Sequence, residues 1–401
     1  MNTMTLISSI LFKHYRESGN PSSLDESVDE MEEVIAMAGP NHPEGPHQRQ
    51  LYGEILLARY EAKHNAQDLD LAIECNERAT DMISENEALA PTIDGSLASC
   101  LRRRYERTGN IEDLNLAIEK VSNAVDSRTI STSYHGQMTA NLATFLTLRY
   151  HYLGALEDLN RALHAQETVI ESVRQSDSDL IICLMKLSNT YSNRFIRLRS
   201  QQDIDEAAKL IRRAIDLRPT SDLQRIRCWV ALARCLLQRS LLDTNPHHES
   251  DLDEGIAYLD KYAEQIPAKD PGRLEADMDL GRGLWSRFLR RQTLLDINRS
   301  VDILLNASTR VDFDNTLRAD IFFQLGLALE TRRKHVEDSR QKDRDGAVAA
   351  FSECFKSSSG IRIIRVLAAD LGSNILESVG QWKEALYLLQ VEFRAEPPLW
   401  L

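Results

Sequence analysis

The side chains that could do chemistry by themselves are a histidine pair, a set of cysteines and an arginine that returns at a fixed interval. His247 and His248 stand beside Glu249, and imidazole and carboxylate groups are common zinc ligands. Adjacent residues rarely share one metal ion, and the sequence offers no second cluster near them. We therefore predict no metal site at this position.

The cysteines have no spacing that is typical of a redox or metal motif. They are Cys75, Cys100, Cys183, Cys228, Cys235 and Cys354. Most fall on apolar helix faces, which predicts reduced thiols in the core of a cytoplasmic protein. Cys354 has no histidine nearby in the sequence, so we do not predict a nucleophile there. The P-loop, nucleophile-elbow and H-E-x-x-H motifs are also absent from the sequence, and we expect neither an enzyme nor a cofactor.

An arginine recurs at intervals of about 45 residues. Its copies are Arg59, Arg104, Arg149, Arg194, Arg239 and Arg287, with His14 in the first place. One interpretation is a basic ladder for an acidic peptide or a phosphate. The other is a pair with an aspartate that follows, usually nine residues later. We favour the pair, because an arginine at a helix end already complements the helix dipole and can reach the start of the next helix.

The elements that must position these arginines form a repeat. A helix-start signature recurs at Ser23, Asp68, Asp113, Asp158, Asp203, Asp251, Asp296 and Asp343. An aromatic residue stands eight positions earlier in most copies: Tyr15, Tyr60, Tyr105, Tyr150, Phe195 and Phe288. Small residues recur between large apolar ones in both helices, as at Ala98 and Ala117. A fixed period with an apolar face on each helix pair indicates stacked pairs, which is a helical solenoid.

Composition agrees with this architecture and restricts the partners. The chain has 401 residues with only 17 glycines and 11 prolines, which favours helices. Its net charge of −13 disfavours binding to nucleic acid or to anionic membranes. No apolar run is long enough for a membrane helix, and no signal peptide is evident, so we expect a cytoplasmic location.

Local signals predict where the second helix of each pair begins and ends. Three copies resemble capping boxes: Ser23-x-x-Glu26, Asp203-x-x-Glu206 and Asp251-x-x-Glu254. We expect these residues at the helix start, where they would satisfy free backbone N–H groups. Helix ends are predicted at Gly39-Pro40, Pro219, Pro267 and Pro397, because proline cannot continue a helix.

These columns resemble the tetratricopeptide repeat (TPR). Leu97-Ala98 matches the first helix of that family, and Ala117, Val121 and Ala124 match the second. The resemblance implies an all-α, right-handed solenoid of about nine antiparallel helix pairs, forming a single domain over residues 1–401. The implied repeats are 4–40, 46–88, 92–128, 135–174, 180–219, 223–267, 272–311, 315–358 and 361–398. They are longer than the usual repeat of about 34 residues.

The phrase R-Y-x-R-T-G-x-x-x-D-L-x-x-A-I, which begins at Arg104, is similar to long TPR arrays of fungal proteins. Such arrays often precede a caspase-like CHAT peptidase domain. Residues after 345 remain helical in pattern, so we do not expect that domain here. The alternative function is therefore the regulatory arm of such an effector, without its catalytic domain.

The resemblance also implies a ligand groove, lined by first-helix positions three and six before the aromatic residue. Its candidate residues are Glu54, Ser99, Arg102, Thr144, Asn189, Arg234, Arg282 and Trp285. Arg234, Arg282 and Trp285 would suit an acidic or carboxylate-ended peptide, because arginine forms paired hydrogen bonds with carboxylates. We expect a non-catalytic scaffold for a protein or peptide partner, with self-association possible through uncapped ends.

Overall fold

The structure is a computed structural model, and it describes residues 2–37, 42, 44–83, 88–127, 131–172, 177–242, 244–245, 247–267, 270–312, 315, 317–357 and 362–386. Within these ranges every regular element is a helix and none is a strand. The predicted all-α class is confirmed. The helices form two compact units, residues 1–174 and residues 175–401, which are described one at a time.

The first unit is a succession of helix pairs. Its helices are α1 (Asn2–Ser18), α2 (Pro21–Met37), α3 (Gly45–Lys63), α4 (Ala66–Asp81), α5 (Ala90–Thr108), α6 (Ile111–Asp126), α7 (Thr132–Leu153) and α8 (Leu156–Ser172). Odd-numbered helices are the first of each pair and even-numbered helices are the second. Each helix packs against its neighbours in the chain, and the first helices α1, α3 and α5 also contact one another in turn.

The second unit follows the same plan. Its helices are α9 (Asp177–Leu198), α10 (Gln201–Asp216), α11 (Asp222–Arg239), α12 (His248–Tyr262), α13 (Pro271–Arg291), α14 (Leu294–Arg310), α15 (Arg318–His335), α16 (Arg340–Lys356) and α17 (Arg362–Glu377), with a 3-10 turn at Ala263–Gln265. The first helices α9, α11, α13, α15 and α17 contact one another in sequence. Within each unit the pairs therefore stack as in an all-α solenoid.

Small residues let the two helices of a pair approach closely, as the repeat pattern predicts. A methyl group on Gly53 of α3 would lie 2.3 Å from Asn76 Nδ2 and 3.2 Å from the Ala72 carbonyl oxygen of α4. On α13, the same addition to Gly281 would come within 2.5 Å of Leu304 Cγ. Close approach leaves no room for side chains at these positions, which explains why the column is always small.

The turn between the two helices has a fixed backbone form. The residue four positions after the aromatic has a positive φ, and its N–H donates to the carbonyl oxygen of that aromatic at 2.7 or 2.8 Å. This residue is Gly19, His64, Gly109, Gly154, Arg199 or Gln292. Glycine adopts this left-handed conformation readily, whereas other residues pay a conformational cost.

The predicted capping boxes are wrong in position. The second helices begin two or three residues before Ser23, Asp203 and Asp251, so these residues lie inside the first turn. In α4 and α6 the cap is an earlier side chain: Asn65 and Asn110 accept from the backbone N–H two residues on at 3.1 and 3.2 Å. The residues before α10 and α12 make no side-chain cap. The signature residue is displaced into the helix because it bonds to the end of the preceding helix instead.

The predicted helix ends can be compared at two prolines. Pro219 follows α10, and Pro267 follows the 3-10 turn after α12, so both stand where their helices have ended. Gly39-Pro40 and Pro397 lie outside the described residues. None of the described helices is both long and apolar enough to cross a membrane. A single array over residues 1–401 with the repeat bounds given above stays a prediction.

Candidate functional site

The arginine column forms ion pairs within the scaffold, which confirms the favoured interpretation. The Nη2 and Oδ1 atoms of each pair are 2.6 or 2.7 Å apart. The pairs of the predicted column are Arg59–Asp68, Arg104–Asp113, Arg149–Asp158, Arg194–Asp203, Arg239–Asp251 and Arg287–Asp296, and Arg332, which the prediction did not include, forms the same pair with Asp343. In each pair Nε also donates to the carboxylate, and the aspartate is buried. The column is therefore not a free basic ladder.

Some of these arginines reach a third helix. Arg149 also donates to Asn115 Oδ1 of α6 at 3.2 Å, and Arg239 donates to Asp205 of α10 at 3.0 Å. Hydrogen bonds to the carboxylate of Asp158 raise the pKa of Arg149. The guanidinium group thus joins the two helices of its own pair to the second helix of the pair before.

The arginines that we proposed as a clamp for an acidic ligand are neutralised by carboxylates of the chain. Arg234 donates from Nε to Asp279 at 2.6 Å and from Nη2 to Glu275 at 2.7 Å. Arg282 donates to the other oxygen of Asp279 at 2.7 Å. Asp279 is only 1% exposed. The structure brings Arg234 and Arg282 together, but it does so around an aspartate that the sequence analysis missed.

The other candidates of the second unit differ in environment. The indole N–H of Trp285 donates to Thr331 Oγ1 at 2.9 Å, so α13 and α15 hold this ring between them. Asn189 lies exposed on α9. Glu249, which stands beside the histidine pair in the sequence, accepts from Arg291 Nε at 3.1 Å. Among the described residues, no three His, Cys, Asp or Glu side chains come together as metal ligands.

A groove of about 400 Å³ crosses the first helices of residues 1–174. It is formed by four consecutive first helices. Its lining is Phe12, Tyr15 and Arg16 of α1, Glu54, Leu57, Ala58 and Glu61 of α3, Gly95, Ser96 and Ser99 of α5, and Tyr134, Gln137, Met138 and Asn141 of α7. Two of the predicted groove residues, Glu54 and Ser99, are therefore in one cavity.

Glu54 is the charged centre of this groove. Its carboxylate accepts from Gln50 Nε2 at 2.7 Å and from Ser96 Oγ at 3.2 Å. Burial raises the pKa of Glu54, although these two hydrogen bonds and the charge of Arg16 oppose the rise. Both donors are uncharged, and a carboxylate can accept more than these two hydrogen bonds. Glu54 therefore retains the capacity to accept from an N–H group of a ligand.

One wall of the groove depends on a glycine that the sequence analysis did not single out. A methyl group on Gly95 would lie 2.4 Å from Tyr134 Oη and 2.6 Å from the Met138 sulfur. Gly95 therefore admits the ring of Tyr134 against α5. Burial raises the pKa of Tyr134 to about 12, so its hydroxyl stays protonated and donates weakly to the Pro91 carbonyl oxygen at 3.4 Å.

A charge network extends from Glu61 of the groove lining to residues of α5 that do not line the groove. Arg103 pairs with Glu61 of α3 and lies 2.9 Å from Glu106. Arg102 also pairs with Glu106, and its guanidinium carbon lies 6.0 Å from the centre of the Phe145 ring. Burial lowers the pKa of Arg102. Arg102, a predicted groove residue, is thus paired with Glu106 and is not available as a free cation.

The hydroxyl groups predicted to face a ligand are turned towards their own helices. Ser99 Oγ donates to the Gly95 carbonyl oxygen and Thr144 Oγ1 to the Ala140 carbonyl oxygen, both at 2.9 Å. Each hydroxyl can still accept a hydrogen bond. Side-chain amides that can donate to a ligand come from α7 instead, where Gln137 is exposed and Asn141 partly exposed.

Comparison with known proteins identifies the fold and nothing finer. No family model matches the chain, and no curated protein matches it in sequence. The apo quorum sensor NprR from B. thuringiensis is 12% identical, covers 96% of this chain and 96% of its own, and has a TM-score of 0.58. Human IFIT1, solved as a dimer with PPP-AAAA, is 15% identical, covers 98% of this chain and 84% of its own, and has a TM-score of 0.50.

A TPR repeat-containing protein from Cytophaga hutchinsonii is 12% identical over 79% of this chain and 98% of its own, with a TM-score of 0.46. At such identities the likeness concerns the fold alone. The chain is an all-α helical-repeat protein whose helix pairs stack as in a solenoid. Fungal origin and a link to CHAT peptidases stay predictions.

Proposed function

We propose that the chain is a cytoplasmic, non-catalytic scaffold that binds a peptide segment of a protein partner in the groove of residues 1–174. One observation carries the proposal: four consecutive first helices place apolar, aromatic and hydrogen-bonding side chains around one cavity. A groove that runs across several repeats suits an elongated ligand better than a compact one.

The chemistry of the lining supports a peptide. The side-chain amides of Gln137 and Asn141 can each donate and accept, which matches the alternating N–H and C=O groups of a peptide backbone. Phe12 and Tyr15 offer apolar area for a side chain of the ligand. Glu54 accepts hydrogen bonds, so it favours a lysine, an arginine or a backbone N–H at the centre of the groove.

An acidic partner at Arg234 and Arg282 has less support. Both guanidinium groups already bond to the buried carboxylate of Asp279. A second carboxylate there would have to compete with a partner that is fixed in place and already desolvated. We therefore place the peptide in the groove of residues 1–174 and expect its central residue to be basic or neutral.

A random peptide library displayed on phage tests this function. Peptides selected on the wild-type chain should lose about tenfold or more in affinity for Ser99→Trp, because the indole fills the groove. The matched control is Glu119→Trp, which adds the same ring to an exposed position on α6 and should leave affinity unchanged. Glu54→Gln should weaken peptides with a central lysine or arginine. Failure to enrich any peptide, or equal binding by Ser99→Trp, would refute the proposal.

The alternative from the sequence, a regulatory arm of a CHAT-type effector, would use the same groove to receive its activating ligand. It differs in requiring a peptidase domain that is covalently joined to this chain. The transcript around the coding region tests this difference. A continuous reading frame that encodes strands with a histidine and a cysteine would support the arm, whereas a stop codon directly after Leu401 would favour the separate scaffold.

A further inference from the structure

A row of exposed apolar side chains follows the turns between first and second helices in residues 175–401. The position directly after the aromatic column is Ile196, Leu241 and Leu289 in three successive repeats, and these side chains are 47%, 44% and 46% exposed. The equivalent positions in residues 1–174 are polar: Arg16, Glu61, Glu106 and His151. At this one position the apolar character is thus confined to residues 175–401, although Tyr152 and Leu153 at the end of α7 are exposed as well, each at 56%.

Further apolar residues lie at the same turns. Leu198 at the end of α9 is 49% exposed, and Leu294 and Leu295 at the start of α14 are 50% and 65% exposed. Together with Ile196, Leu241 and Leu289 they are called the apolar edge. Single exposed leucines need no explanation, whereas a continuous row of them commonly marks an interaction surface.

Hydrogen bonds between the turns show that the row is continuous. Thr244, in the turn after α11, bonds to Gln201 at the start of α10, with 3.5 Å between the oxygen atoms. Arg290, near the end of α13, donates to the Ser240 carbonyl oxygen beside Leu241 at 2.7 Å. Three successive turns therefore lie side by side, and their apolar side chains form one strip.

Charges of both signs lie around the apolar edge. The arginines include Arg197, Arg199, Arg290 and Arg291, and the described carboxylates include Asp205, Glu249 and Asp253; Asp205 pairs with Arg239 at 3.0 Å. Arg290 and Arg291 pair with Glu249, and Arg291 also pairs with Asp253. Arg197 and Arg199 are exposed and pair with no carboxylate among the residues that the structure describes. The strip therefore offers leucine and isoleucine side chains beside uncompensated guanidinium groups.

The repeat spacing defines the shape of a suitable ligand. Packed helices lie about 8–10 Å apart, and α9, α11 and α13 contact one another in turn. An α-helix places residues seven apart at a distance of about 10.5 Å along one face. A helix laid across the apolar edge would thus offer one apolar side chain to each repeat.

We propose that the apolar edge binds an amphipathic helix of a partner protein, with an apolar stripe at every seventh residue and acidic residues beside it. The stripe covers Ile196, Leu241 and Leu289, and the acidic residues face Arg197 and Arg199. This surface shares no residue with the groove of residues 1–174.

A synthetic helical peptide with leucine at every seventh position and flanking glutamates tests the proposal. Fluorescence anisotropy should give saturable binding to the full chain, weakened about tenfold by Leu241→Asp with Leu289→Asp. The matched control is Leu305→Asp, a leucine of α14 that is 50% exposed and lies outside the apolar edge; its affinity should be unchanged. Thermal unfolding verifies that each variant is folded.

A second measurement changes the charge of the peptide and of the arginine that faces it. The same peptide with lysine in place of glutamate should bind at least about tenfold more weakly, and Arg197→Glu should reduce this difference. Equal binding of both peptides, no binding of the acidic one, or equal loss in Leu305→Asp would overturn the proposal. Binding to phosphatidylserine vesicles without peptide binding would reassign the strip to membranes, and self-association that Leu241→Asp abolishes would reassign it to a second copy.

Discussion

The ion pair that Arg104 forms with Asp113 recurs in most repeats, and in the first repeat a hydrogen-bonded histidine and serine take its place. There His14 stands for the arginine and Ser23 for the aspartate, and Nδ1 lies 2.8 Å from Oγ. Both members differ together, since a buried carboxylate without its arginine is costly. The residue types at the two positions are thus linked, so that a change at one requires a change at the other.

We predict that Arg104 and Asp113 are energetically coupled, which a double-mutant cycle can measure. Arg104→His alone should reduce the free energy of unfolding by about 3 kcal/mol, because Asp113 is buried and would lose its cation. Adding Asp113→Ser should recover part of the loss through the hydrogen bond seen in the first repeat. Urea unfolding followed by circular dichroism gives the coupling, expected at about 1–3 kcal/mol. Strictly additive effects would contradict it.

Asn76 is a second residue whose effect on the free energy of unfolding can be measured. Its Nδ2 donates to the Ala72 carbonyl oxygen at 2.8 Å, but its Oδ1 has no partner among the described residues. The equivalent residue of the next repeat is Val121, which is fully buried. Asn76→Val should stabilise the chain by about 1–2 kcal/mol, and Val121→Asn should destabilise it. Unfolding midpoints that move the other way would refute this.

Asp320 predicts a dependence on pH. Burial raises its pKa to about 6, against the lowering effect of Arg282, whereas an unfolded chain has a pKa near 3.9. The folded state then holds the proton more tightly, so this contribution to stability is complete below about pH 4 and is lost as the pH rises through about 6. Asp320→Asn should therefore stabilise the chain by about 1–2 kcal/mol at pH 7 and have little effect at pH 4.

The control for this prediction is Asp312→Asn, because Asp312 is exposed. Its effect on stability should be small at both pH values. If Asp320→Asn gave the same change at pH 4 and pH 7, the raised pKa would not be the cause.

The turn between the helices of a pair gives a prediction at the scale of the element. His64, Arg199 and Gln292 have φ values of 57°, 55° and 56°, where a side chain costs about 1–2 kcal/mol relative to glycine. His64→Gly and Gln292→Gly should each raise stability by about 0.5–1 kcal/mol. Gly154→Ala should lower it by a similar amount, since a methyl group there meets no other atom and only the backbone conformation opposes it.

Thermal unfolding of these single variants, each compared with the wild-type chain, measures the change in stability. Two stabilised variants and one destabilised variant are expected. A loss of stability in His64→Gly would show that its side chain contributes more than its backbone costs.

Much of the order and pairing of the helices could be predicted because the sequence pattern repeats. Eight copies of one pattern identify the paired helices, the small residues between them and the arginine–aspartate pairs. The capping boxes were misplaced because the signature aspartate serves a contact between helices, and a local motif cannot distinguish this from a cap. In the site, Asp279 and Gly95 were missed because each acts through a residue of another helix: Arg234 lies 45 positions from Asp279, and Tyr134 lies 39 positions from Gly95.

At the scale of the whole molecule, the two compact units predict what a shortened chain can do. Each helix of residues 1–174 packs against its neighbours inside that unit, and stability in such arrays is a sum of local terms. Residues 1–174 expressed alone should therefore fold, unfold cooperatively and retain the peptide ligands of the groove. Circular dichroism and the phage-selected peptides test both points. A folded fragment that lost every ligand would show that the groove is not sufficient for binding.

The spacing within the arginine–aspartate pairs has a consequence for how the protein can change. The two partners are nine residues apart in most copies, twelve apart in Arg239–Asp251 and eleven apart in Arg332–Asp343, yet the contact distance is the same. The ion pair thus fixes the hairpin whatever the length of the turn that it spans. Turns can therefore gain residues without disturbing the stack, and new binding loops could evolve, or be grafted, at this edge one repeat at a time.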